Sequence, residues 1–194
     1  MHYTLSDYLI DLVQNSVEAK ASVIDVSMLE SDRSIKITIA DNGKGMDEAV
    51  LSRVRDPFFT EAGKHDKRKV GLGLSFLAQF ISQCSGTWDI TSQKGVGTSL
   101  FFNYSLKNID APPAGNLVSA IVTLMGLTGE FELTFNRTLN DDSYAVSRSE
   151  VIDALGDLSD AHSLIALRKY LKSLEDELSE TSKVKIKQGE LING

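Results

Sequence analysis

Two short runs of alternating residues limit what this chain can fold into more than any other feature. In 23–29 (VIDVSML) and 34–41 (SIKITIAD), Ile24, Val26 and Met28, then Ile35, Ile37 and Ile39, each fall on one side of an extended backbone. That pattern marks half-buried strands, and the turn-rich ESDR between them makes a β-hairpin. The second run ends in DNGKGM (41–46), where Gly43 and Gly45 require the backbone to turn sharply or approach something closely.

An amphipathic stretch, 5–21 (LSDYLIDLVQNSVEAKA), precedes the hairpin. On a helix, Leu9, Ile10, Leu12, Val13, Val17 and Ala19 share one arc, with Asp11, Gln14, Asn15 and Glu18 opposite. Asp11, Asn15 and Glu18 stand at i, i+4 and i+7 with no basic residue between them. Oxygen donors in such a stripe suit a hard cation such as Mg²⁺, which takes few protein ligands. A solvated helix face is the plain alternative.

Beyond DNGKGM, DEAVLSRV reads as a short helix. DPFFTEAGKHDKRK carries Lys64, His65, Lys67, Arg68 and Lys69, the one dense positive cluster in a chain of net charge −7. VGLGLSFLAQFISQC (70–84) resumes helical spacing behind Gly71 and Gly73, and Cys84 at its end reads as core. TWDITSQ and TSLFFNY are strands joined by the glycine-containing KGVG turn. Helix, two strands, loop, helix, two strands predicts an α+β fold: a two-layer α/β sandwich, its mixed or antiparallel sheet carrying helices on one face.

Composition changes around IDAPPAGN (109–116), where Pro112 and Pro113 predict a semi-rigid joint. The expected division is a main domain over 1–108, a small C-terminal α/β appendage over 109–180 and a flexible tail over 181–194. In the appendage, LVSAIVTLMGL is a helix or buried strand, EFELTFNR and DSYAVS a hairpin, and SEVIDALGDL and AHSLIALRKYLKSLEDEL helices. Those last helices could equally cover the main sheet's edge. Glu175 and Glu177 find only loose lysine partners in the sequence.

The acidic balance disfavours nucleic acid and anionic membrane as partners, so an anionic ligand needs a metal ion or the local basic cluster. A single cysteine excludes an internal disulfide. Neither a membrane-length apolar run nor a signal peptide is legible, and a cytoplasmic protein is expected. A glycine-rich turn opening a helix, as at Gly71 and Gly73, offers unpaired N–H groups to phosphate, although such glycines also serve tight packing. Asp41 could accept a hydrogen bond from an exocyclic amine or simply form a turn.

The ordered set formed by the asparagine helix, DNGKGM, PFFT, GLGLS and GVGTSLFF resembles the GHKL superfamily of ATP-binding domains: gyrase, the ninety-kilodalton heat-shock chaperone, histidine kinases and MutL. The likeness covers residues 5 to 105 and implies the Bergerat-type ATP-binding fold, with ATP and Mg²⁺ as cofactors. By that resemblance Asn15 coordinates Mg²⁺, Asp41 binds the adenine amino group, and Gly43, Gly45 and Met46 line the base pocket. Gly71, Gly73 and Leu74 meet the phosphates, Thr98 completes the polar network around the adenine, and Pro57, Phe58 and Phe59 shape a mobile lid. Lys64, Lys67 and Lys69 are the candidate lid contacts to phosphate.

In the gyrase and MutL branch a glutamate four residues before the asparagine activates water; here Asp11 holds that place as candidate general base. DLVQNSVEAKAS resembles the MutL helix, and Glu18 matches its acidic residue. Aspartate is about 1.5 Å shorter, and a misplacement of that size costs on the order of 10²-fold, so slow hydrolysis is expected. The stretch from PFFT onward resembles a kinase catalytic domain instead. No phosphoaccepting helical hairpin is expected before a helix that begins this close to Met1, and His162 reads as a surface residue. The leading expectation is a Mg²⁺-dependent ATP-binding protein, a slow ATPase or nucleotide-gated regulator acting on a protein partner or second copy through 109–180. A kinase acting in trans on histidine or serine, and a non-enzymatic binding scaffold, are the alternatives.

Overall fold

The computed structural model describes residues 4–55 and 72–192. The opening helix, α1 (Leu5–Glu18), starts at a capping box: Asp7 N–H donates to Thr4 Oγ1 (3.2 Å) and Thr4 N–H to Asp7 Oδ2 (2.8 Å). Its first two N–H groups, which no helical carbonyl can reach, donate to Pro113 O and Ala114 O, both at 3.1 Å. The joint expected at Pro112–Pro113 is thereby tied to the start of the chain. Leu5, Leu9, Leu12 and Val13 are buried on the apolar arc; full burial of each such side chain is worth about 1.5–3 kcal/mol. Ser6 and Ser16 are buried with them.

Strands β1 (Val23–Glu30) and β2 (Ser34–Asp41) form the expected antiparallel hairpin. After α2 (Glu48–Arg55) come α3 (Leu72–Gln83), β3 (Thr87–Gln93) and β4 (Gly97–Ser105). Arg55 anchors the end of α2 on β3 by donating from Nη2 to Ile90 O at 2.7 Å. α4 (Leu117–Met125), β5 (Glu132–Leu139), β6 (Asp142–Ser147), α5 (Arg148–Leu155) and α6 (Ala161–Ile192) complete the chain.

One six-stranded sheet runs through the described residues in the order β3-β4-β2-β1-β5-β6. Every pairing is antiparallel except β1 with β5, which makes the sheet mixed. The hairpin expected in the C-terminal appendage is therefore the far edge of the main sheet rather than a sheet of its own. Position 108 divides the composition but not the core: Leu133, Phe135, Leu167 and Leu171 belong to the same buried cluster as Leu9 and Ile37. The physical reason is that Leu133 and Phe135 alternate on the side of β5 that faces the helices, level with Ile24 and Val26 of β1.

Two expectations for the C-terminal part change. α6 continues to Ile192 through the polar stretch expected to fray, in keeping with the helix propensity of its Glu, Lys and Gln residues. Glu175 pairs not with nearby lysines but with Arg137 of β5, accepting from Arg137 Nε (3.3 Å) and Tyr144 Oη (2.6 Å). Arg137 also donates to Glu30 of β1 at 2.6 Å, which ties β1, β5 and α6 together. Burial first, then the hydrogen bond to the Glu175 carboxylate, push the Tyr144 hydroxyl well above the ordinary tyrosine range. The α4–β5 connection is held by Arg148, which donates to Met125 O, Phe131 O and Leu127 O while its guanidinium lies 4.6 Å from the Phe131 ring centroid. Cys84 is buried, its thiol pushed up by burial and then by Asp110. Among the described residues no helix is long and apolar enough to cross a membrane.

Candidate functional site

Between the Arg137–Glu30 pair at one end and Asp41 at the other, the helix-facing side of the central strands is apolar row by row. Met28, Ile37 and Phe102 align across β1, β2 and β4, followed by Val26, Ile39 and Leu100 with Ile90 of β3. The next row is Ile24, Asp41, Thr98 and Ser92. Period-two alternation has carried a carboxylate and two hydroxyls onto the core face, where polar groups must be partnered or exposed to something that will partner them.

Asp41 is half-buried and fixed from two sides. Ser16 Oγ of α1 donates to Oδ2 at 2.8 Å, and Gly43 N–H donates to Oδ1 at 2.9 Å. Ser16 was missed by sequence reasoning, although its helical position lies inside the apolar arc of α1; a serine among those leucines and valines is the signal. Asn42, also missed, locks the turn: its Oδ1 accepts from Ser22 and Val23 N–H, both at 2.9 Å, while its Nδ2 donates to Ser22 Oγ.

The DNGKGM turn is pressed between the end of α1 and the β3–β4 hairpin. Lys44 N–H donates to Ala19 O (2.9 Å) and Gly95 N–H to Lys44 O (2.8 Å). What the glycines approach is the chain itself. A Cβ on Gly43 would stand 2.9 Å from Ala19 O, and one on Gly45, whose φ is +58°, would stand 2.0 Å from Gln93 O. Met46 N–H donates to Ser92 Oγ at 2.9 Å, and Ser92 Oγ lies 2.9 Å from Thr98 Oγ1. Asp41, Gly43, Gly45, Met46 and Thr98 therefore form one connected cluster, with Ser16, Asn42 and Ser92 as its supports.

Asp11, Asn15 and Glu18 lie exposed on α1, the helix that also brings Ser16 to Asp41. Glu18 Oε1 accepts a 3.3 Å hydrogen bond from Gln14. Gly73 falls in the first turn of α3, and Leu74 is half-buried against the core. α3 packs beside α1, with Tyr8 and Phe80 stacked at 5.4 Å between ring centroids. Phe59, Lys64, Lys67 and Gly71 lie outside the described residues, as do Pro57, Phe58 and Lys69. His162 is exposed, 3.5 Å from Asp160.

Among curated relatives, the chain is 33% identical over 109 residues to a "Putative sensor protein" of Shewanella frigidimarina, a match that takes in 55% of this chain and 16% of that protein. It is 30% identical over 105 residues to "Sporulation kinase A" of Bacillus subtilis, covering 53% of this chain and 17% of the kinase. With "Sensor histidine kinase ZraS" of Escherichia coli it shares 32% over 97 residues, 49% of this chain and 20% of that one. The chain thus spans a fifth or less of the length of these relatives. Of solved structures, the ADP complex of the Aquifex aeolicus MutL ATPase domain superposes with a TM-score of 0.51 at 14% identity, over 88% of this chain and 70% of that one. Such coverage reaches past residue 108, so the likeness of fold includes part of the C-terminal segment. A family model described as "Histidine kinase-, DNA gyrase B-, and HSP90-like ATPase" matches residues 3–108, more than half of the chain. With that match over the α1-to-β4 unit that holds the Asp41 cluster, the chain belongs to the family of histidine kinase-, DNA gyrase B- and HSP90-like ATPases.

Proposed function

We propose that this chain binds an adenine nucleotide with Mg²⁺ over the Asp41–Thr98 row, and that the bound state regulates a partner, with slow ATP hydrolysis as its chemistry. The observation that carries the reading is the half-buried Asp41 carboxylate at the end of the apolar Ile35–Ile37–Ile39 face of β2. Its two oxygens are aimed by Ser16 and Gly43 and keep lone pairs for a further donor. An exocyclic amine is such a donor, and the surrounding apolar rows suit a purine ring.

The α1 stripe fits a hard cation. Asn15 is exposed, its side-chain amide has no hydrogen-bond partner among the described residues, and Asp11 and Glu18 add carboxylate oxygens on the same face. Asn15 would hold the ion, which when bound supplies positive charge beside the phosphates. Asp11, one turn earlier, is the candidate general base. Gly73 and the start of α3 are the proposed phosphate contact from the described residues, with Lys64, Lys67 and Gly71 as further candidates. Residues 109–180 are the proposed partner or dimer surface.

Calorimetric titration with MgATP tests the reading. Wild-type protein is expected to take up ATP and, at 100 times its dissociation constant, to gain about 2.7 kcal/mol of stability. Asp41→Asn should weaken ATP about 10- to 150-fold, the worth of a hydrogen bond to a charged group, while its nucleotide-free melting point stays near that of wild type. Uptake of no adenine nucleotide by folded wild type would remove the pocket.

The kinase names of the relatives, at about 30% identity over this domain, favour phosphotransfer in trans as the second reading. The two separate at Asp11. With γ-labelled ATP, Asp11→Asn should abolish release of free phosphate if water is the acceptor, whereas label transfer to a partner protein would survive it.

A further inference from the structure

Three hydrogen bonds converge on one hydroxyl at the far end of the polar row. Ser92 Oγ lies 2.9 Å from Met46 N, 2.9 Å from Gly97 O and 2.9 Å from Thr98 Oγ1. A hydroxyl has one proton and two lone pairs. Met46 N–H can only donate and the Gly97 carbonyl can only accept, so the proton of Ser92 goes to Gly97 and one lone pair takes the Met46 N–H. Only the second lone pair remains for Thr98. Thr98 must therefore donate to Ser92, and its oxygen has nothing but lone pairs left to offer.

Thr98 stands level with Asp41 across β2 and β4. The Asp41 carboxylate oxygens, already accepting from Ser16 and Gly43, are likewise acceptors only. We infer that Ser92 is a specificity-determining positioning residue: by holding the proton of Thr98 it leaves Thr98, like Asp41, an acceptor only toward the base. Such a site takes a purine with an amine at the six-position and rejects one that carries a carbonyl oxygen there, because two acceptors would face each other across the contact. This inference rests on the Asp41 row being a nucleotide site.

In Ser92→Ala the Thr98 hydroxyl loses its acceptor, rotates, and can donate into the site. The ATP-over-GTP preference is then expected to narrow at least tenfold, chiefly through weaker ATP binding and a gain for GTP. The test is calorimetric titration of MgATP and MgGTP into wild type, Ser92→Ala and Ser92→Thr, with Ser92→Thr, which keeps the hydroxyl, restoring most of the preference. Thr98→Val leaves the Ser92 bonds to Met46 and Gly97 in place, so it should narrow the ratio even where Ser92→Ala fails to fold. If both nucleotides weaken equally in these variants, Ser92 is only a brace for the hairpin and the inference is overturned. If wild type takes up neither nucleotide, the reading of the pocket fails first.

Discussion

Gly97→Ala is expected to lose about 2–6 kcal/mol of folding stability, summing overpacking and backbone strain. A Cβ at this position would lie 1.9 Å from Asp41 O and 2.8 Å from Asn42 Cα, at a φ of +138°. Both obstacles are backbone, so no rotamer change relieves the contact. β4 must move away from the end of β2, and Asp41 and Thr98 separate. Gly95→Ala is the internal control: its φ is +79°, but nothing lies within 4 Å of a Cβ there, so it should carry only the strain of the left-handed backbone, about 1–2 kcal/mol. Urea unfolding of both variants measures the difference. Equal losses would mean that the close approach of β4 to Asp41 contributes nothing. With total stabilities of about 5–15 kcal/mol usual for such domains, the Gly97 variant will populate unfolded protein on mild heating.

Arg137→Ala should lose about 3 kcal/mol, the low end for breaking a buried ion pair, because Glu30 keeps 26% of its side chain in water. Arg137 itself is only 4% exposed, and its guanidinium is shared among Glu30, Glu175 and the carbonyl of Thr138. Removing it leaves two carboxylates facing each other across the seam between β1, β5 and α6, with Tyr144 still donating to one of them. The comparison variant is Lys172→Ala, which breaks the exposed pair with Asp176 and should lose no more than about 0.5 kcal/mol. Chemical denaturation resolves the two. A loss at Arg137 as small as that at Lys172 would show that the apolar core alone holds the far edge of the sheet.

The sequence carried a large part of this in physically simple form. Ile35, Ile37 and Ile39 alternate, and the same period places Asp41 on the buried face; nothing tertiary is needed to see that a carboxylate has been put where a hydrophobe belongs. The asparagine stripe of α1, the DNGKGM turn and all three hairpins follow from period and turn residues in the same way. Those signals are local, set by neighbours within a turn or a strand.

Only the folded chain could decide what depends on distant partners. Ser92 looks like an ordinary serine until β3 pairs with β4 and its hydroxyl meets Met46 N–H and Thr98. Glu175 has lysines nearby in sequence, yet its partner is 38 positions away, because α6 crosses the sheet where β5 presents Arg137. The parallel pairing of β1 with β5 is likewise invisible to composition, which changes at the prolines while the buried face of the sheet continues across them. Local periodicity determined which face each residue takes, and the packing of elements far apart in the chain determined which of those faces meet.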